Sequence, residues 1–220
     1  MTNVSATPTK MAVRRALRRA AEDALKSQGY KIERLTGAGK SSLRRIIKDG
    51  IGKTVSIRTT QDLWIAFPRN RKGNGWATLE DVDFVIAASV DRRDDPQYAK
   101  IHMIPGEEMR DRFDRAYSAR KAAGYSLPKG RGIWVSLYEQ EASDPVNRVG
   151  AGAGLEHKAI SIVPLVAESR PLEEEDEHDE DLELEIESGQ EPPLTIAEAK
   201  RRLALSFGVK EDDVKITIVG

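Results

Sequence analysis

The chain has 220 residues, of which 39% are hydrophobic and 32% are charged, so it can bury a core beneath a heavily charged surface. It contains no cysteine, which excludes disulfides, iron–sulfur clusters and cysteine-based zinc sites and is typical of a reducing cytoplasm. No apolar stretch approaches the roughly 18 residues of a membrane span, and the N-terminus lacks the apolar core of a signal peptide. We therefore expect a cytoplasmic protein without a membrane partner.

The net charge of −1 conceals a strong separation of charge along the chain. Residues 1–131 carry 27 Lys/Arg and 15 Asp/Glu, whereas residues 171–193 carry 12 Asp/Glu and no Lys/Arg. A basic body favours an anionic partner, and nucleic acid is the first class to consider. A solvated basic surface without such a partner would give the same composition.

The elements of the first half begin after residues 1–8, which we expect to be disordered. Apolar residues at helical spacing predict a helix over residues 9–28, and Gly29 is a natural end for it. Four short β-like runs follow, at 30–35, 42–48, 54–60 and 63–68. Tight turns separate the last three runs, which predicts a three-stranded meander.

The second half of the body alternates between the two element types. A short helical turn at 78–83 precedes two strands, at 84–90 and 98–105, and the first of these is apolar enough to be buried on both faces. A helix is predicted over 106–123 and a strand over 132–138, whereas residues 144–172 have no clear pattern. Residues 9–170 therefore predict an α+β body, with a central mixed sheet flanked by helices.

The C-terminal part differs from this body in composition. Residues 171–193 form an acidic, low-complexity tract that we interpret as a linker. Residues 194–220 predict a helix and a strand, and Thr195 and Glu198 have the spacing of a capping box at the helix start. A unit this small buries little surface by itself, so it is expected to dock on the body, on a second copy or on another protein.

The stretch "LTGAGKSSLRR" at residues 35–45 resembles the end of a phosphate-binding loop. A complete loop of that kind needs a glycine five positions before Gly39, where this chain has Arg34. The residues after the loop alternate as a strand does, and a strand offers no helix dipole to an anion. We therefore interpret the stretch as a hairpin loop whose Lys40 can contact a phosphate, rather than as an NTPase site.

Three segments resemble the core of the PD-(D/E)XK nuclease superfamily over about residues 10–125. They read "KTVSIRTTQDLWIAFPR", "TLEDVDFVIAASVD" and "KIHMIPGEEM". The resemblance implies a metal-dependent nuclease core whose third strand carries Glu/Gln-x-Lys and whose second strand carries Asp. Ser56 stands at the Glu/Gln position and Arg58 at the Lys position, and the Asp position falls near Ser42 or Arg44. The resemblance thus implies a core that has lost its metal site and kept an affinity for phosphate.

The sequence accordingly predicts a non-catalytic, nucleic-acid-binding body, with DNA as the favoured ligand and with no cofactor. His102, His157 and His178 are too dispersed to indicate a metal site, and no catalytic residue is assigned. The expected contacts are the basic residues Arg14, Arg15, Arg18, Arg19, Lys40, Arg44, Arg45, Arg58, Arg69, Arg71 and Lys72.

Two alternative functions remain open. The first is an interaction or assembly protein that binds a protein partner, or a second copy of itself, through residues 194–220. The second is a divergent metal-dependent nuclease that recruits acids such as Glu33, Asp49 or Asp62.

Deleting the acidic tract, residues 171–193, tests whether it competes with nucleic acid for the basic body. A tethered polyanion acts at high effective concentration, so the deletion should tighten nucleic acid binding at low salt. Salt screens this competition, so the gain should shrink as salt is added. Equal affinities of the two proteins at every salt concentration would reduce the tract to a spacer.

Overall fold

The computed structural model of the chain describes residues 8–35, 42–70, 72–127 and 132–165, together with Lys215. Backbone contacts divide the chain into two units, Met1–Ile186 and Glu187–Gly220, and every helix and strand given below belongs to the first unit. The predictions for residues 1–7, for the acidic tract and, apart from Lys215, for residues 194–220 lie outside the described residues.

The described elements include three α-helices and eight strands. The helices are α1 (Pro8–Ser27), α2 (Gly106–Ala122) and the single turn α3 (Ala153–Glu156), and a 3-10 turn spans Val146–Arg148. The strands are β1 (Lys31–Arg34), β2 (Leu43–Lys48), β3 (Ile51–Thr60), β4 (Trp64–Pro68), β5 (Phe84–Val90), β6 (Tyr98–Pro105), β7 (Gly132–Ser136) and β8 (Ser161–Pro164). No helix in this part of the chain is long and apolar enough to span a bilayer.

The central feature is a six-stranded sheet in the order β1-β2-β3-β5-β6-β8. Its neighbouring strands are antiparallel except for β3 and β5, which run parallel. Helices and strands combine in one body, so the predicted α+β class with a mixed sheet is confirmed. The prediction that residues 84–90 are buried on both faces is also confirmed, since all of β5 after Phe84 is buried.

The predicted meander is wrong in its last strand. β4 does not pair with β3 but with β7, in a separate two-stranded antiparallel sheet. The chain turns away after β3, where Leu63 has a positive φ of 70° and Asp62 accepts a hydrogen bond from the Thr60 hydroxyl at 2.7 Å. Residues 65–68 of β4 are all buried, so this strand requires cover on both faces, which the edge of a one-sided hairpin would not supply.

Two apolar clusters lie on opposite faces of the large sheet. On one face, α1 contributes Leu17, Ala21, Ala24 and Leu25, which pack against alternate residues of β2, β3, β5 and β6. On the other face, α2 and the β4–β7 pair cover Val85, Ala87 and Ile104. The same alternation sends neighbouring β3 residues to opposite faces: Val55 and Ile57 belong to the α1 cluster, so Ser56 and Arg58 face the α2 side.

Strand β8 was not predicted from the sequence. It lies within residues 144–172, has four residues and pairs antiparallel with β6, with Tyr98 opposite Pro164 and Ile101 opposite Ser161. Its alternating exposure extends over too few positions to be separated from the surrounding loop by pattern alone.

A buried polar network on the α2 side of the sheet connects β5, β6 and the segments after β7 and α3. The His102 Nδ1 lies 2.8 Å from the carbonyl oxygen of His157, so this nitrogen carries the proton and donates it. In the neutral ring, Nε2 then accepts from the Tyr138 hydroxyl at 2.8 Å, and the Ser89 hydroxyl is 2.6 Å from the same Tyr138 oxygen. A neutral His102 with its proton on Nδ1 satisfies all three groups in this arrangement.

Burial lowers the pKa of His102 below its ordinary value of 6.5, and the charges of Lys100 and His157 act in the same direction, whereas the His157 carbonyl opposes them. The folded protein therefore takes up this proton less readily than the unfolded chain does. The contribution of His102 to stability is intact above the unfolded pKa and is lost as pH falls through 6.5 towards the folded pKa.

We expect the free energy of unfolding of the wild type to fall between about pH 7.5 and pH 5 more steeply than that of His102→Asn. The Asn variant should be less stable at the higher pH, because its shorter side chain cannot satisfy both partners. Urea denaturation at several pH values measures the pH dependence of the free energy of unfolding and the difference between the two proteins. Parallel profiles for the two proteins would show that His102 does not titrate in this way.

Candidate nucleic-acid interface

The positive charge of the body is concentrated in the elements from α1 to β3. Residues 10–58 carry 14 Lys/Arg and 4 Asp/Glu, whereas residues 59–131 carry 13 Lys/Arg and 11 Asp/Glu. The predicted basic body is therefore polarised, and almost all of its excess charge belongs to α1 and the first three strands. An anion-binding surface is therefore expected at those elements.

One row of α1 carries charged residues at intervals of four: Arg14, Arg18 and Glu22. Residues four apart on a helix are neighbours on its surface, so these side chains follow one another along the helix. Glu22 accepts a hydrogen bond from the Nε of Arg44 at 3.3 Å. Arg44 is only 3% exposed, and its Nη1 also donates to the carbonyl of Leu43 at 2.9 Å. Arg44 thus attaches α1 to β2.

Arg58 lies near the end of β3, on the sheet face opposite α1. The pairing of β2 with β3 ends at Leu43 opposite Ser56, after which the amide of Ile57 donates to the Ser42 carbonyl at 2.8 Å. At the same end of β3, the Gln61 side chain donates to the carbonyl of Lys10 at 2.8 Å. The N-terminal half of α1 therefore lies beside the last residues of β3.

The guanidinium of Arg58 is fixed in an apolar setting. It stacks over the Phe67 ring, with 4.4 Å between Cζ and the ring centroid, and its Nη2 donates to the hydroxyl of Thr78. Burial lowers the pKa of Arg58 to about 10, and the positive charges of Arg14 and Arg18 contribute to the shift. Arg14, Arg18 and Arg58, here called the arginine cluster, therefore interact electrostatically although α1 and Arg58 lie on opposite faces.

Arg58 forms no ion pair with a carboxylate among the described residues. The folded protein therefore holds the Arg58 proton less tightly than the unfolded chain does, so the charged side chain lowers the free energy of unfolding at any pH below about 10. After solvent screening of its exposed part, this cost is about 1–3 kcal/mol at neutral pH. An anion bound at the cluster would offset it.

The other predicted contacts are distributed around this cluster and beyond it. Arg15 and Arg19 are half-buried and form the neighbouring row of α1. Arg45 is exposed on the opposite face of β2 from Arg44, and Lys72 is exposed in the loop between β4 and β5. Lys40 and Arg71 lie outside the described residues.

Arg69 differs from the rest of the predicted set because its side chain serves the interior. Its guanidinium lies between two rings, 4.6 Å from the centroid of Trp76 and 4.5 Å from that of Tyr117. It also donates to the Gly73 carbonyl and lies 3.8 Å from the carboxylate of Asp114. Arg69 therefore joins the loop that follows β4 to α2.

Of the four positions to which the nuclease resemblance assigns catalytic side chains, three are buried and the fourth, Arg58, is half-buried. Ser42, Ser56 and Arg44 are 2%, 0% and 3% exposed, respectively. The described part of the chain contains no group of three or more His, Asp or Glu side chains placed to hold a metal ion. Residues 43–48 form a strand, so no helix follows the glycine-lysine stretch of residues 35–41 at once.

Sequence reasoning did not identify the groups that fix Arg58. Phe67 and Thr78 are 9 and 20 positions away from it in the sequence, and they approach it only because β4 leaves the large sheet and passes beneath α2. Thr78 has a positive φ of 59°, which is uncommon for a branched residue, but no sequence motif indicates it.

Replacing Arg69 by Met should lower the free energy of unfolding by about 1–3 kcal/mol, because two cation–π contacts and a hydrogen bond are lost. Lys72→Met removes the same charge from an exposed position of the same loop and should change stability by less than about 0.5 kcal/mol. Chemical denaturation of both variants checks this. Equal effects would mean that Arg69 has no interior role.

Comparisons with known proteins assign this chain to no family. No protein-family model and no curated protein matches the chain. The nuclease resemblance therefore stays a prediction, and the surroundings of Arg58 are the basis for a functional conclusion.

Proposed function

We propose that this protein is a non-catalytic nucleic-acid-binding protein whose basic face, formed by α1 and the ends of β2 and β3, holds backbone phosphates. The observation that carries the proposal is the arginine cluster. Arg58 is fixed within electrostatic range of Arg14 and Arg18 at a cost in folding free energy, with no carboxylate partner among the described residues. Destabilising charge of this kind is typical of functional sites, where it is retained for the ligand.

Phosphate chemistry fits the cluster better than a protein carboxylate surface does. Guanidinium groups present several N–H donors in a fixed plane and bind phosphate oxygens in pairs. Arg58 is immobilised by Phe67 and Thr78, so little side-chain entropy would be lost when it binds. Contacts to phosphates position a nucleic acid without reading its sequence, so we expect a weak dependence on base sequence.

A non-catalytic role is proposed because the cluster is cationic where a nuclease would bind its metal ion. Arginines repel a divalent cation, and they are poor proton carriers at neutral pH. The two serines at the assigned acid positions, Ser42 and Ser56, bear no charge. The proposed function is therefore binding of the phosphate backbone rather than its cleavage.

We expect Arg58→Met to bind a random-sequence oligonucleotide more weakly than the wild type, with a salt slope of log Kobs smaller by about one. The same variant should lose less stability than Arg69→Met does, because removal of an uncompensated charge from an apolar setting offsets the lost contacts with Phe67 and Thr78. Lys121→Met, which removes an exposed charge from α2, should alter neither quantity. Binding titrations at several salt concentrations and urea denaturation provide both measurements.

Loss of affinity together with a loss of stability as large as that of Arg69→Met would indicate a structural role for Arg58, and absence of salt-dependent binding by the wild type would refute the proposal. Incubation of the oligonucleotide with the protein in Mg²⁺ or Mn²⁺ should leave it intact. Cleavage that disappears in Asp49→Ala or Glu33→Ala would favour the divergent nuclease instead.

A further inference from the structure

Two positions on the same face of β3 each have a buried polar atom that has no hydrogen-bond partner among the described residues. They are the hydroxyl oxygen of Ser56 and the Nε of Arg58. Ser56 is fully buried, and residues two apart on a strand project from the same face of the sheet. Both atoms therefore face the α2 side, near the end of β3.

The described residues that pair with these two positions on the neighbouring strands have no polar side chain. Ser56 is opposite Leu43 on β2 and Val85 on β5, and Arg58 is opposite Ala87 on β5. A buried polar group without a partner is costly, and it is commonly satisfied by a water molecule or an ion. The charge around these two atoms decides whether a water molecule or an ion is the better partner.

Charge favours an anion over water. Arg58 is repelled by Arg14 and Arg18, and it pairs with no carboxylate among the described residues. A water molecule could accept a hydrogen bond from Nε, but it would not offset the positive charge. An oxyanion does both, and its attraction to the guanidinium is strengthened by the apolar surroundings.

We propose that Ser56 and Arg58 form an oxyanion site that takes one phosphate group, with the Arg58 Nε and the Ser56 hydroxyl as donors to its oxygens. This deepens the proposed function and rests on it, since the same cluster would hold the nucleic acid. The site has one fixed wall, because the guanidinium is stacked on Phe67 and bonded to Thr78.

The other buried arginines with an unpartnered nitrogen lack this combination. Arg69 has Asp114 at 3.8 Å and two aromatic rings around it. Arg120 donates to the Trp134 carbonyl, and its pKa is lowered by burial without a contribution from another arginine. Arg120 is therefore a suitable control for a buried guanidinium that does not bind phosphate.

The test is thermal unfolding of the full chain with inorganic phosphate, against sodium chloride at equal ionic strength. A ligand that binds only the folded state raises the melting temperature in proportion to its saturation. We expect phosphate to stabilise the wild type more than chloride does, and the apparent Kd to weaken about tenfold in Ser56→Ala. Arg58→Met should abolish the difference between the two salts, and Arg120→Met should preserve it.

Stability without phosphate provides a second readout. Ser56→Ala removes an unpartnered hydroxyl, so it should not be less stable than the wild type in chloride alone. A clear loss of stability in Ser56→Ala would show that the hydroxyl has a partner in the folded protein, and it would overturn the proposal. Equal stabilisation by phosphate and chloride would overturn it as well.

Binding of oligonucleotides with and without a 5′-terminal phosphate distinguishes the sources of the phosphate group. Weaker binding of both by Ser56→Ala assigns the site to the phosphodiester backbone, and weaker binding of only the phosphorylated one assigns it to a terminal phosphate. If phosphate stabilises the wild type but no oligonucleotide binds, the oxyanion site stands and the proposed nucleic acid function fails. If oligonucleotides bind and Ser56→Ala changes neither their affinity nor the response to phosphate, this inference alone fails.

Discussion

The contact between the Arg58 guanidinium and the Phe67 ring depends on most of the architecture around it. Phe67 reaches Arg58 because β4 leaves the large sheet and pairs with β7 beneath α2. The charges of Arg14 and Arg18 reach Arg58 because α1 passes the end of β3, where Gln61 bonds to Lys10. A full meander, with β4 beside β3, would have placed β4 in the large sheet and removed the surface on which Arg58 is stacked.

The sheet separates structural roles from the proposed function through the alternation of β3. Val55 and Ile57 pack into the α1 cluster, whereas Ser56 and Arg58, between and beyond them, face the other side. The apolar positions supply burial, at about 25 cal/mol per Å² of apolar surface removed from water. The two polar positions contribute no such gain, so the presence of Ser56 in the buried segment and of Arg58 at its half-buried end requires another explanation. A bound oxyanion would supply this explanation, because the sequence of β3 would then serve both folding and binding.

The elements that can be predicted from the sequence are those determined by residues close together in the chain. Helical spacing in α1 and α2 and the apolar run of β5 determine these elements within a few residues of their observed ends. The partner of β4 is different, because a strand adjacent in sequence and a strand about 65 residues away satisfy the same local pattern. Burial of residues 65–68 on both faces decides between them, and burial is a property of the assembled body.

The candidate site shows the same division between local and assembled properties. Charge content identified Arg14, Arg18 and Arg58 as basic residues, but it gave Arg69 the same weight. The structure separates the two cases by their surroundings: Arg69 lies between Trp76 and Tyr117 near an acid, whereas Arg58 lies near two further cations. Composition counts charges and cannot show which of them are compensated by neighbours from distant parts of the chain.

Neutralisation of some arginines by nearby carboxylates also explains how the proposed basic face would bind phosphate selectively, and not only through its overall positive charge. Arg44 and Glu22 neutralise each other between α1 and β2, and Arg115 is neutralised by Asp111 and Glu141 on the α2 side. Exposed lysines such as Lys72 are hydrated, and their contribution to binding falls quickly with added salt. Arg58 combines charge with partial desolvation and a fixed orientation, so its interaction with an anion is screened less than that of a surface lysine. A surface organised in this way would attract nucleic acid through many mobile charges and would hold one phosphate through a single rigid guanidinium.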